Sequence, residues 1–490
     1  MSVVKGLLAA SFAFGFISVV GCSSDNDDTP ADTTDPVISN LSHADNEKVI
    51  GNRTITFTAD VTDNSTLTVT MTHNGNPVTV TPSGDTYSAS ITLEDRTNNT
   101  VVVSANDGSN TASQTLTLNY PFLAFTNGQA ASVVIGQLDF DGGLPNRGNA
   151  TPAANTIDKP YDVKVISNRL YIADRNNNRV LGFDSIPASN NANADFVIGQ
   201  DSFTTNVSGI ANNQLNNPRS FDSGDNQFFV GHSNGGRINH WSSIPISNAL
   251  ADLTIGQDGF IEGSFFSCEQ NKFNFIVDSI QYVSGKLIAS DSAGHRVLIW
   301  NSIPSTSGVA PDIVLGQQDF THCAANDANN DGVSEGVPTA STLSAPRGVW
   351  SDGTKLLVSD NNNDRLLIWN EFPTSNFQAA DIVLGQANFT SYVARSGITA
   401  KNMIPEGVYS NDNQLFVADG DGSRVMIWDS WPITNNQAAD RVLGSETLTA
   451  GQQALGNNAN LDTPKALTVF EDKLILSDIA DHRILIFQAP

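Results

Sequence analysis

Six times between Arg179 and Pro490 the chain repeats one phrase: Arg, an apolar residue, two further positions, an aromatic, and then Pro. The arginines are Arg179, Arg237, Arg296, Arg365, Arg424 and Arg483, at spacings of 58, 59, 69, 59 and 59 residues. A strand-rich unit repeating near sixty residues cannot bury its apolar face alone; it must stack on its neighbours, so the period predicts a repeat architecture. An Asp stands five residues before the Arg in five of the units (Asp174, Asp291, Asp360, Asp419, Asp478) and His232 takes its place in the second. Apolar tracts such as Leu356–Ser359 precede the Asp, and turn residues such as Asn361-Asn362-Asn363-Asp364 fill the gap to the Arg. That pattern reads as strand, tight turn, strand.

A third strand ending in Gly-Gln follows about twenty residues after the Arg, as in Val197-Ile198-Gly199-Gln200 and Val383-Leu384-Gly385-Gln386. The last unit lacks one, and a spare copy, Val134-Ile135-Gly136-Gln137, stands before the first. Pairing the two would close a ring and remove an exposed sheet edge. A fourth strand begins fourteen residues before each Asp position, at Pro160, Pro218, Val277, Pro346, Pro405 and Pro464. The expected fold is therefore all-β, with a six-bladed β-propeller over 122–490 closed by its N-terminal strand. The segment Ser359-Asp360-Asn361-Asn362-Asn363-Asp364-Arg365 is similar to the NHL repeat, although the units here are longer.

From about Val37 to Tyr120 apolar residues alternate with Thr and Asp, as in Ile55, Phe57, Ala59 and Val61, or Val101, Val103 and Ala105. Alternation of this kind marks strands with one buried face. Asn74-Gly75 and Asn106-Asp107-Gly108 are turn signals. About seven short strands are expected over 37–120, and the pattern resembles bacterial immunoglobulin-like β-sandwich domains, commonly spacers or adhesive units.

The N-terminus sets an address. Lys5 precedes an apolar run from Gly6 to Val20, which reads as a signal peptide over 1–21. Val19-Val20-Gly21-Cys22 resembles a bacterial lipobox; the resemblance implies cleavage before Cys22 and its acylation, and Ser23 implies export to the outer membrane. The membrane would then be met through N-terminal acyl chains only, with the protein facing the periplasm or the cell exterior. Residues 22–36 are acidic and lack large apolar side chains, as a flexible tether would.

Acids outnumber bases 51 to 25, for a net charge of −26. No basic stripe offers itself to a nucleic acid, so no nucleic-acid partner is expected. Charged residues at every repeat are read as structural pairs, because buried charges persist when paired and hydrogen-bonded. His232, the departure from that pattern, is a candidate site residue. The position after each fourth-strand start varies instead: Tyr161, Arg219, Asp278, Arg347, Glu406 and Lys465. Variable polar groups converging on the mouth of a central channel suit ligand binding; the same six could equally neutralise one another and seal it.

The long spacing before Arg365 carries Asp327, Asn329, Asp331, Gly332 and Glu335. Alternating oxygen ligands around a Gly suit Ca²⁺, although Pro338 stands where an EF-hand places its Glu; a polar surface loop reads the same way. Cys268 and Cys323 follow Gly-Gln segments of adjacent units, and export favours a Cys268–Cys323 disulfide over two free thiols. No zinc spacing, nucleophile elbow or phosphate loop stands out. The expected function is non-enzymatic binding of an extracellular or periplasmic protein, glycan or small molecule. The alternative is a hydrolase or lyase at the channel mouth, with Glu406, Asp278, Tyr161 and His232 as candidate catalytic groups and Arg219, Arg347 and Lys465 binding an anionic substrate. Six-bladed lactonases and strictosidine synthases use a channel-mouth metal or Glu, and three bases, two acids and a Tyr do not match an all-oxygen Ca²⁺ cage.

Overall fold

A computed structural model describes residues 32–49, 54–94, 98–120, 122–260, 268–394, 397–450 and 457–490. The signal segment, Cys22 and the tether as far as residue 31 lie outside the described residues. The fold is all-β, with four short 3-10 turns as the helical elements among the described residues. None of their helices is long and apolar enough to cross a membrane, which says nothing of β-barrel spans. Two compact units divide the chain.

In the N-terminal part, nine strands rather than seven form a four-stranded and a five-stranded sheet. The difference comes from short edge pieces, Glu47–Lys48 and Asn76–Val78, whose sequences carry no alternation of their own. Asn74 and Gly75, both at positive φ, join Thr68–His73 to Asn76–Val78 with His73 opposite Asn76. That two-residue turn matches the right-handed twist of its flanking strands. Phe57, Ala59, Val61, Met71, Val101, Val103 and Ala105 are buried.

The C-terminal unit holds six sheets of four strands. The fourth is representative: Pro346–Ser351, Leu356–Asp360, Arg365–Trp369 and Ile382–Leu384, all antiparallel in sequence order. The sixth takes Pro464–Phe470, Lys473–Asp478 and Arg483–Gln488 from the C-terminus and its outer strand, Val133–Ile135, from the start of the unit. Val134 lies opposite Leu485 in that pairing. First strands of successive sheets contact one another in cyclic order, the sixth meeting the first.

Apolar clusters fill the space between successive sheets. Trp350, Leu357, Leu366 and Ile368 of the fourth pack on Val408, Leu415, Val417 and Trp428 of the fifth; Ile475, Ile484 and Ile486 of the sixth pack on Val163, Leu170 and Ile172 of the first. Each such side chain contributes about 1.5–3 kcal/mol on burial. A sheet here is therefore stable only between two others.

The repeated phrase builds one hydrogen-bonded joint in every sheet. The residue before each Arg is left-handed: Asn178, Gly236, His295, Asp364, Ser423 and His482. Each Asp–Arg pair meets through Nε at 2.7–2.9 Å. Arg365 then donates Nη1 to the Phe389 carbonyl at 2.6 Å and Nη2 to those of Thr339 and Thr342, both at 2.9 Å. The Gln of Gly-Gln clips the same turn, Gln200 to the Asn178 carbonyl at 2.9 Å and Gln317 to that of His295 at 3.1 Å. The preceding Gly is required by geometry: a Cβ on Gly385, at φ +91°, would stand 2.6 Å from the Asp364 carbonyl oxygen.

Candidate functional site

The ladder between the first two strands slips in every sheet just after its first residue, between Pro160 and Asp162 and between Pro346 and Val349, for example. The six variable residues of the sequence pattern sit in these irregularities, and a bulge turns a side chain away from its sheet. Here it turns all six toward one another.

They form a linked series. Arg219 pairs with Asp278 and donates to the Tyr161 hydroxyl at 3.0 Å, its guanidinium lying 4.7 Å from the centre of that ring. Lys465 lies over the same ring at 4.5 Å and pairs with one oxygen of Glu406, whose other oxygen takes Arg347. Burial opposes ionisation of Asp278, but Arg219, with Lys465 and Arg347, outweighs it and holds that carboxyl below the usual range. Burial also opposes charge on Arg347, and Glu406 first among its neighbours reverses this, holding the guanidinium above its ordinary value. Together the six line a space of only about 30 Å³.

Arg347 differs from the others in exposure. Its side chain is 31% exposed, against 7% for Lys465 and 14% for Arg219. It opens onto a groove of about 710 Å³ beside the fourth and fifth sheets, where Glu335, Asn362, Asp364, Tyr392 and Asp421 converge. Tyr392 is half exposed.

His232 is fully buried at the Asp place of the second sheet and is not brought to this ring. Its Nδ1 accepts the Asn216 N–H at 3.3 Å, as Asp174 accepts that of Asp158 and Asp360 that of Ser344. Burial, aided by the Arg237 charge, pushes the imidazole down to about 3, so a neutral acceptor replaces a charged one. A depressed folded pKa means a contribution complete above the unfolded value near 6.5 and lost as pH falls through 3. His232→Asn, which keeps an acceptor without a titrating group, is expected to flatten the acid limb of stability between pH 6 and 3 by up to about 1.4 kcal/mol per pH unit. Denaturant midpoints at four pH values check this; identical slopes in both proteins would overturn it.

In the long loop, Asp327 is fully buried and accepts the N–H groups of Asp331 at 3.1 Å and Gly332 at 2.9 Å. Asn329 accepts the Asp331 N–H at 3.1 Å, and Asp331 that of Val333 at 2.8 Å. Glu335 turns to the groove beside Arg347. The side chains of Asp327, Asn329 and Asp331 thus help to shape the turn. Among the described residues, the one grouping of three acids, cysteines or histidines close enough to share a metal is Asp32, Asp63 and Asp107. Cys268 and Cys323 are bonded, with Cα atoms 5.9 Å apart.

The sequence reading missed a second inward layer, four residues into each first strand: Lys164, Asp222, Gln281, Trp350, Tyr409 and Thr468. The same alignment of repeats carries its signal, since this column varies as freely as the first. The six line a cavity of about 400 Å³ on the other side of the linked ring.

No protein-family model matches the chain, and no curated protein is similar to it. Among solved structures it is similar to an auxiliary nutrient binding protein from Bacteroides ovatus at 9% identity, over 91% of this chain and 99% of that one, with a TM-score of 0.43. It is similar to the computationally designed Ika8 protein at 10% identity, over 73% and 99%, with a TM-score of 0.36. The titin M3 domain matches at 19% identity over 18% of this chain and 96% of its own, with a TM-score of 0.15. Likenesses at these TM-scores carry neither fold nor function across to this chain.

Proposed function

We propose that this chain is an envelope-anchored, non-enzymatic binding protein. In this reading Cys22 carries the lipid, 22–36 is the tether, and an Ig-like sandwich over 37–120 is the spacer. A six-bladed NHL-like propeller over 122–490 presents the ligand seat. Six four-stranded sheets in cyclic contact, with the N-terminal strand completing the last, support the propeller. Alternating burial across the two N-terminal sheets supports the sandwich. The lipobox-like Val19–Cys22 segment supports the anchor.

One observation carries the binding reading: of the inward ring, Arg347 alone keeps a third of its side chain accessible, and it opens onto a polar groove. Carboxylates, amides, a guanidinium and an accessible Tyr ring together suit a hydroxyl-rich glycan, through bidentate hydrogen bonds and stacking on the ring face. The hydrolase or lyase alternative asks for a free base. Glu406 has both oxygens engaged by Arg347 and Lys465.

A glycan array on the protein, with and without Ca²⁺, tests the reading. Arg347→Ala and Tyr392→Ala are each expected to weaken a bound glycan by about tenfold or more. An array without hits, or hits indifferent to both substitutions, would remove the groove as the seat. Dependence on Ca²⁺ would bring Asp327, Asn329, Asp331 and Glu335 into it.

A further inference from the structure

The 400 Å³ cavity is divided by chemistry. The first three sheets line it with Asp162, Lys164, Asp222 and Gln281, and the last three with apolar and aromatic groups, Trp350 and Tyr409 among them. The linked ring closes it toward the groove, and Val469 and Phe470 flank its other end. Its volume lies within the range of small-molecule sites, about 300–1,000 Å³.

Its charges do not balance. Lys164 is committed to Asp222 at 3.1 Å and to the Ile280 carbonyl at 3.0 Å. Asp222 also accepts the Tyr282 N–H at 2.6 Å. Asp162, 7% exposed, accepts the N–H groups of Val163 at 2.8 Å and Phe221 at 3.1 Å, and has no ion-pair partner among the described residues. A buried carboxylate without a counter-cation is costly. Burial accordingly pushes Asp162 up to about 6, with Lys164 opposing and Asp222 adding to the rise. Opposite it stand Trp350 and Tyr409, whose ring faces attract cations and whose bodies are apolar.

We propose that this cavity binds a small organic ammonium, its cation at Asp162 and its apolar body against Trp350 and Tyr409. The site is separate from the groove and does not rest on the glycan reading. A cation here supplies the missing partner of Asp162, and the aromatic wall replaces water around the body. An anion would meet two carboxylates against one committed Lys, and a neutral isostere would leave Asp162 unpaired.

Three probes of one shape test this on the whole protein by calorimetry: benzylammonium, benzyl alcohol and phenylacetate. Benzylammonium is expected to bind at least about tenfold more tightly than either of the others at pH 7.5. Its affinity should fall below about pH 6 as Asp162 is protonated; Lys164 and Asp222 are the other charged lining groups. Asp162→Asn should abolish the preference for the cation, and Lys164→Met, compared on the alkaline plateau of its pH profile where Asp162 is ionised, should strengthen it, an opposite sign that general destabilisation does not produce. Arg347→Ala and Tyr392→Ala should leave it unchanged. Equal affinities for the three probes, no saturable binding of benzylammonium, or no strengthening in Lys164→Met would overturn the proposal. Should Asp162→Asn fail to fold, the sign of Lys164→Met decides.

Discussion

Val134→Asp is expected to unfold the whole six-sheet unit and not its first strand alone. Val134 is fully buried, faces Leu485 across the ladder, and packs with residues of the fifth and sixth sheets. It is held from both sides of the peptide as well, its N–H donating to Asn190 and its carbonyl accepting from Asn191. The substitution removes a buried apolar side chain and leaves a charge with no partner, a loss of about 4 kcal/mol or more. The damage spreads because each apolar cluster is shared by two sheets, so a frayed sixth sheet exposes faces of the fifth and the first. Leu138→Asp, four residues along but 60% exposed, is the control and should be near neutral. Urea unfolding followed by tryptophan fluorescence distinguishes the two. A Val134→Asp protein with an unchanged midpoint would show that the terminal strand does not hold the ring.

Arg365→Ala should cost nearly as much by a different route. The side chain is fully buried and makes four hydrogen bonds, one to Asp360 and three to carbonyls from segments on either side. Removing it leaves Asp360 buried without its cation and three carbonyls without a donor, about 3–5 kcal/mol. Burial already pushes the Asp360 carboxyl up against the opposing Arg365 charge, and the variant removes the largest influence holding it down. Combining Arg365→Met with Asp360→Asn removes the orphaned charge and is expected to recover part of the loss. Equal midpoints for Arg365→Ala and the double variant would mean that the carbonyl bonds, and not the ion pair, carry the joint.

Legibility followed how local the interaction is. The Asp-turn-Arg phrase is written five times and the Gly after each third strand six times, so both were legible as repeated local requirements; the left-handed residue before each Arg was not, because Asn, Gly, His, Asp and Ser all fill it. The spare strand at Val133–Ile135 was legible because the last unit lacks one. The short edge strands of the N-terminal sheets were not, since two or three residues carry no period.

The inward residues show the other case. Sequence spacing alone identified Tyr161, Arg219, Asp278, Arg347, Glu406 and Lys465 as one layer, and left open whether they would meet a ligand or one another. Which residue pairs with which depends on the neighbour that each sheet presents, some 59 positions away, and so on how the sheets are arranged in space. That arrangement engages both oxygens of Glu406 and leaves Arg347 the most accessible of the cations. It also leaves Asp162 outside any ion pair among the described residues, with Lys164 committed to Asp222, in a cavity that no single repeat encloses. Local sequence thus determined the repeat and the core of each joint, because the Asp–Arg bond closes over five residues. Only the tertiary structure decided where charge is satisfied and where it is not, because that balance is struck between residues of different sheets.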